Sequence, residues 1–113
     1  IDKDHPLNKV VEGEGFTIKD EIYQFRNDTA SPKDRKMLLS LDPNWEGIKK
    51  GNREDNFYPI SWISKYGDGR IFYCSLGHRD EIYWNPTILR HYLAGFQYAL
   101  GDLEADATPV EVD

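Results

Sequence analysis

Tyr66-Gly67-Asp68-Gly69-Arg70-Ile71-Phe72-Tyr73-Cys74-Ser75-Leu76-Gly77-His78 joins a glycine-rich turn to a hydrophobic run that stops abruptly at Gly-His. Gly67 and Gly69 reach positive φ at little cost, so 66–70 can reverse the chain. Pro59 to Lys65 and Arg70 to Leu76 then read as the two arms of a hairpin, with Ile60 and Trp62 sharing one face of the first arm. Residues 71–76 show no polar/apolar alternation, the pattern of a strand buried on both faces, as in an α/β sheet. Ligands of open α/β sheets bind just past the carboxyl ends of strands, and His78 falls at that position.

Upstream, Phe16 to Ile18, Glu21 to Phe25 and Met37 to Leu41 are strand candidates, the second because it alternates. Asn27-Asp28 and Ser31-Pro32 mark a loop between them. Residues 42–56, rich in Gly, Asn, Asp and Lys, form a long surface loop in which Trp45 is the only large aromatic before Phe57. Downstream, Arg79 to Tyr83 is a charged loop, and the best helix follows it. Asn85 is its cap, Pro86 its first residue and Gly101 its stop. Ile88, Leu89, Tyr92, Leu93, Phe96, Ala99 and Leu100 recur at helical spacing as one apolar stripe, with Arg90, His91 and Gln97 off it. Residues 102–113 read as an acidic tail or linker. One helix covers one face of a sheet, so a strand buried on both faces needs a second layer from elsewhere.

The chain's 113 residues suit one domain. With 39% hydrophobic and 13% aromatic residues it has the material for a core. A net charge of −6 argues against nucleic acid as partner, since phosphate neutralisation needs a basic face. No apolar run approaches the roughly 20 residues of a membrane span. Cys74, alone, excludes an internal disulfide and leaves the redox compartment open. The chain starts at Ile1 without Met, as a processed product or a piece of a longer protein would.

His5-Pro6, Asp20-Glu21-Ile22-Tyr23, Pro59-Ile60-Ser61-Trp62, the stretch from Tyr66 to Tyr73, Ser75-Leu76-Gly77-His78 and Tyr98-Ala99-Leu100-Gly101 together resemble the trehalose-utilisation (ThuA-like) family. That resemblance implies an α/β fold, part of a flavodoxin-like, class I glutamine amidotransferase-like three-layer sandwich. It further implies that residues 1–101 are the C-terminal half of such a domain, with the N-terminal half, or a partner chain, supplying what is missing. Two positions depart from the family's habit: Tyr98 stands where Trp is usual, and Arg79 follows His78 where an acid is common.

The resemblance makes His78 similar in position to the histidine base of class I glutamine amidotransferases, and implies action on a trehalose-like or keto-disaccharide, a small-molecule sugar. A histidine at a strand exit is backed by the sheet, open to ligand and able to titrate near neutrality. The bland alternative is a histidine that caps the helix or bonds a loop carbonyl. Asp20 and Glu21, adjacent and so on opposite faces of an extended chain, are candidate partners, as is His5. Tyr83, Trp84, Trp45 and Tyr23 are candidate sugar-stacking groups, set against the possibility that such rings fill a core. Cys74 lies within the buried run and is a small hydrophobe before it is a nucleophile. The histidine spacing suggests no metal site, and no cofactor is implied. A non-catalytic carbohydrate-binding or scaffolding domain of the same fold is the alternative to an enzyme.

Overall fold

The computed structural model describes residues 1–46 and 51–111. In chain order these contain α1 (Pro6–Lys9), β1 (Lys36–Ser40), β2 (Pro59–Tyr66), β3 (Gly69–Cys74), a short 3-10 helix (Asp80–Trp84) and α2 (Pro86–Leu100). The strands form one antiparallel sheet in the order β1-β2-β3. Tyr66 pairs with Gly69, leaving Gly67 and Asp68 as a two-residue turn. Gly67 carries the positive φ (55°) at the first central position, as a II′ turn requires, and this matches the right-handed twist of the two arms.

Helices packed with a sheet are compatible with the α/β class. The sheet is nevertheless antiparallel, and β2 rather than the 71–76 run is its buried strand: Pro59 to Ile63 are all buried. The run expected to be covered on both faces is the edge strand β3, which ends at Cys74 and leaves Ile71 exposed. Its unbroken apolar character has two separate causes. Phe72 faces α2, where its ring meets His91 and Phe96 edge-on. On the other face Tyr73 stacks on Trp62, their ring centres 4.2 Å apart, with Phe25 edge-on to both.

The strands expected at 16–18 and 21–25 do not form; residues 14–26 have no regular structure. Alternation there reflects side chains docking on the sheet without a hydrogen-bond ladder, with Ile18 and Ile22 on the Ile60–Leu76 cluster and Phe25 on Trp62. The loop expected over 42–56 falls partly outside the described residues, and its described parts have no strand or helix. The charged loop after His78 winds into the 3-10 helix.

The bounds of α2 are those its local signals dictate. Asn85 Oδ1 accepts from the Thr87 and Ile88 amides, Pro86 opens the helix, and Gly101 closes it. Its buried face differs from the expected stripe. Ile88, His91, Ala94, Gly95 and Tyr98 face the sheet, while Leu89, Leu93, Phe96 and Leu100 are exposed. Small residues at 94 and 95 let the helix approach β3 closely, and this outweighs the greater hydrophobicity of the leucine face. That leucine–phenylalanine stripe is uncovered among the described residues.

Leu7, Leu38, Ile63, Ala94 and Tyr98 form the central cluster, and Leu103, Ala105 and Ala107 of the tail pack on it. Arg70 ties the tail down, donating to the Leu103 carbonyl at 3.2 Å and to Glu104 at 2.7 Å. Tyr98 is fully buried and its hydroxyl has no partner among the described residues. Removing an unpaired buried hydroxyl returns its desolvation cost. Tyr98→Phe should therefore be neutral or stabilising by about 1 kcal/mol in urea unfolding. A loss of that size would mean the hydroxyl has a partner.

Candidate functional site

The chain leaves β3 through Ser75, whose amide donates to the Ile60 carbonyl, and Leu76, which is buried. It then bends sharply at Gly77, where φ is +131°. A Cβ at Gly77 would stand 2.6 Å from Tyr83 Oη and 3.3 Å from Tyr92 Oη, so glycine is required for space as well as for backbone conformation. Those two hydroxyls hold the bend. Tyr92 Oη donates to the Leu76 carbonyl at 2.6 Å, and Tyr83 Oη donates to the Gly77 carbonyl at 2.7 Å. Burial pushes the Tyr92 phenol up to about 12, which keeps it a protonated donor.

From the other side comes Asp20, 57 residues earlier in the chain. Its Oδ2 accepts from the Gly77 amide at 2.7 Å and its Oδ1 from the Arg79 amide at 3.0 Å. Partial burial pushes this carboxyl up, but the amides of Gly77 and Arg79 outweigh that and hold it below the ordinary aspartate range. The next residue, Glu21, reaches His78, with Oε2 3.1 Å from Nδ1. Both side chains are open to solvent, 64% for His78 and 57% for Glu21.

A cavity of about 780 Å³ adjoins this loop. Asp20 and Leu76 form part of its wall, together with Phe16, Trp45, Asn8 and Ser40. Of the aromatic candidates, Trp45 lines the cavity. Tyr83 holds the Gly77 carbonyl, while Trp84 and Tyr23 are solvent-exposed outside the wall.

The structure thus brings His78, Glu21 and Asp20 together and sets His5 apart. His5 is buried as the cap of α1. Its Nδ1 accepts from the Leu7 amide and its Nε2 donates to the Asp106 carbonyl at 2.9 Å. Both ring nitrogens are committed, leaving His5 a structural residue. The Pro at the first position of α1 was the sequence signal for that capping role. Cys74 is half-buried, and desolvation pushes its thiol up to about 11, so it holds no thiolate near neutral pH. Among the described residues no three His, Cys, Asp or Glu side chains gather as metal ligands would. Tyr92 and Phe16 were read from the sequence as helix-stripe and strand residues and not as site residues. Tyr92 is a polar-tipped residue in the middle of α2 whose hydroxyl reaches the strand exit, and that polar tip within an apolar stripe was the available hint.

Residues 1–99 match the family model described as ThuA, trehalose utilisation. The chain belongs to that family. The match takes in Asp20, Glu21, the 76–79 loop and nearly all of α2, and it connects the protein with trehalose utilisation. No curated protein and no solved structure matches the chain.

Proposed function

We propose that the chain acts on a trehalose-like or keto-disaccharide, with His78 as the acid/base, Glu21 as its partner and the cavity beside Asp20 as the sugar compartment. The carrying observation is the His78–Glu21 contact on a loop fixed by Asp20, Tyr83 and Tyr92; Asp20 and Leu76 line that cavity, while His78 and Glu21 stand outside its wall. An imidazole backed by a carboxylate can take a proton from a sugar hydroxyl or a water and return it to a leaving oxygen. Trp45 offers an aromatic face for a sugar ring. Covalent chemistry at Cys74 is not part of the proposal, because its thiol is protonated and sits in the packing around Ile60 and Ile88.

The exposure of His78 and Glu21 favours a second reading, a carbohydrate-binding or scaffolding domain, since proton-transfer sites gain from excluding water. His78→Ala separates the two. It should leave the melting temperature nearly unchanged, a surface substitution costing within about 0.5 kcal/mol, and reduce disaccharide turnover by about 100-fold or more. Cys74→Ala should do the reverse, costing on the order of 1 kcal/mol with turnover kept. Binding of a disaccharide panel without turnover in any variant would support the binding domain instead.

We also propose that the sheet and α2 belong to a flavodoxin-like, class I glutamine amidotransferase-like sandwich, with this chain as its C-terminal half. The exposed stripe Leu89, Leu93, Phe96 and Leu100 supports it, being the face a further layer or partner chain would cover. Size-exclusion chromatography with light scattering should find the 113-residue chain self-associated. A stable, cooperative monomer would overturn that reading.

A further inference from the structure

We propose that Asp20 and Glu21 divide one task, Asp20 positioning the backbone around His78 and Glu21 fixing its proton on Nδ1, so that Nε2 is the nitrogen that accepts a proton. The inference rests on the reading of His78 as acid/base and assigns the residues on which that role depends.

The Asp20 carboxylate does not touch the imidazole. It accepts from the amides immediately before and after His78, at 2.7 and 3.0 Å, so both oxygens are spent on the loop. With the carbonyls of Leu76 and Gly77 held by Tyr92 and Tyr83, consecutive backbone groups from 76 to 79 are fixed by three side chains from three separate segments. The held-down pKa of Asp20 agrees with this: the carboxylate stays ionised at neutral pH and serves as an acceptor rather than a proton donor.

Fixing the backbone at Gly77 and Arg79 also fixes where the His78 ring starts, and the residue next to Asp20 is the one that meets it. Glu21 Oε2 lies 3.1 Å from Nδ1. An ionised carboxylate only accepts, so this contact becomes a hydrogen bond only when Nδ1 carries the hydrogen, and that form is the one it favours. In the neutral ring Nε2 is then left with its lone pair, the state a general base needs. An imidazole free in water favours the opposite tautomer, with hydrogen on Nε2, so this contact changes the population that can act. Arg79 does not compete for Glu21, because its guanidinium is turned to Glu81 at 3.3 Å.

Two measurements on the free protein test the two halves separately. Long-range proton–nitrogen correlation spectra of the histidine rings at about pH 8, where imidazole is neutral, report the tautomer. Amide hydrogen exchange at Gly77 and Arg79 reports the loop. Wild type should show His78 with hydrogen on Nδ1. Glu21→Ala should shift it to the Nε2–H form, with exchange at Gly77 and Arg79 within about twofold of wild type. Glu21→Gln should restore the Nδ1–H form, since an amide oxygen can still accept. Asp20→Ala should speed exchange at both amides by about tenfold or more and weaken the Nδ1–H preference. Asp20→Asn, which keeps one acceptor oxygen, should speed exchange at one of the two amides. An Nε2–H ring in wild type overturns the role of Glu21. Unchanged exchange at Gly77 and Arg79 in Asp20→Ala overturns that of Asp20. Neither readout uses a sugar, so full turnover by His78→Ala would remove the catalytic reading while leaving these results intact.

Discussion

His91→Ala is expected to cost about 4 kcal/mol in urea unfolding, a large fraction of the roughly 5–15 kcal/mol that a domain has. His91 is fully buried on α2, and its ring connects four elements. Nδ1 donates to the Leu7 carbonyl of α1 at 3.2 Å, and Nε2 meets Ser61 Oγ of β2 at 2.8 Å. The ring face is met by Phe72 of β3, with centroids 5.4 Å apart at 68°. Truncation opens a cavity worth about 2 kcal/mol or more and strands the Leu7 carbonyl and the Ser61 hydroxyl, each at about 1–3 kcal/mol if unpaired. Ser61 can recover in part, because Oγ also lies 2.9 Å from the Tyr73 carbonyl. A measured loss below about 1.5 kcal/mol would show that the ring is a filler and not a junction.

The same residue gives the protein a pH dependence whose sign follows from burial. Desolvation pushes His91 below the ordinary histidine value, and the bond to the Leu7 carbonyl only partly opposes it. The native state therefore keeps a neutral ring at a pH where the unfolded chain, titrating near about 6.5, has taken up a proton. In that window the unfolded state binds more protons, so stability rises with pH. It is complete above about pH 6.5 and is lost as pH falls toward the native value. Denaturant midpoints at about pH 7.5 and 5.5 should differ in wild type and differ less in His91→Gln. An identical pH slope in the variant would place the titration on another group.

Elements set by local backbone chemistry were legible in the sequence. Gly67 at a hairpin turn, and Asn85, Pro86 and Gly101 at the ends of α2, act on their own neighbours and needed no tertiary knowledge. Faces were not legible in the same way. Leu89, Leu93, Phe96 and Leu100 outrank His91 and Gly95 on any hydrophobicity scale, yet α2 buries the latter pair. A histidine with both nitrogens bonded is no longer costly to bury, and a glycine admits a ring that no scale anticipates. The strand-like alternation of 21–25 likewise marked side chains that dock, not amides that pair. At the candidate site, the sequence offered His78 from its place after Gly77 at a strand exit, with Asp20, Glu21 and His5 all as candidate partners, and it is the folded chain that puts Glu21 beside the ring. Asp20 was legible as a nearby acid but not as the acceptor for the amides on either side of His78, because that role joins residues 57 apart.

Gly95→Ala is expected to destabilise the protein by about 3 kcal/mol, against the usual direction of that substitution. At a permissive helix position, replacing glycine by alanine gains about 1 kcal/mol from backbone entropy. Gly95 is buried where α2 crosses β3, and a Cβ there would overlap Cγ, Cδ1 and Cε1 of the Phe72 ring. The ring cannot simply turn aside. It is held edge-on by His91 at 5.4 Å and by Phe96 at 6.5 Å, and its strand is paired to β2 through Ile63. Relief must come from moving α2 away from the sheet, which loosens Ala94 and Tyr98 in the central cluster and stretches the His91 bonds to Leu7 and Ser61. Overpacking costs typically about 1–3 kcal/mol and more where several contacts shift together, enough to exceed the helical gain. A double-mutant cycle identifies the cause. Phe72→Leu should be destabilising alone, yet should recover at least about 1 kcal/mol when combined with Gly95→Ala, because the smaller side chain makes room for the methyl group. If Gly95→Ala instead raises the urea midpoint, α2 does not approach Phe72 closely, and the steric reason for burying that face of the helix fails with it.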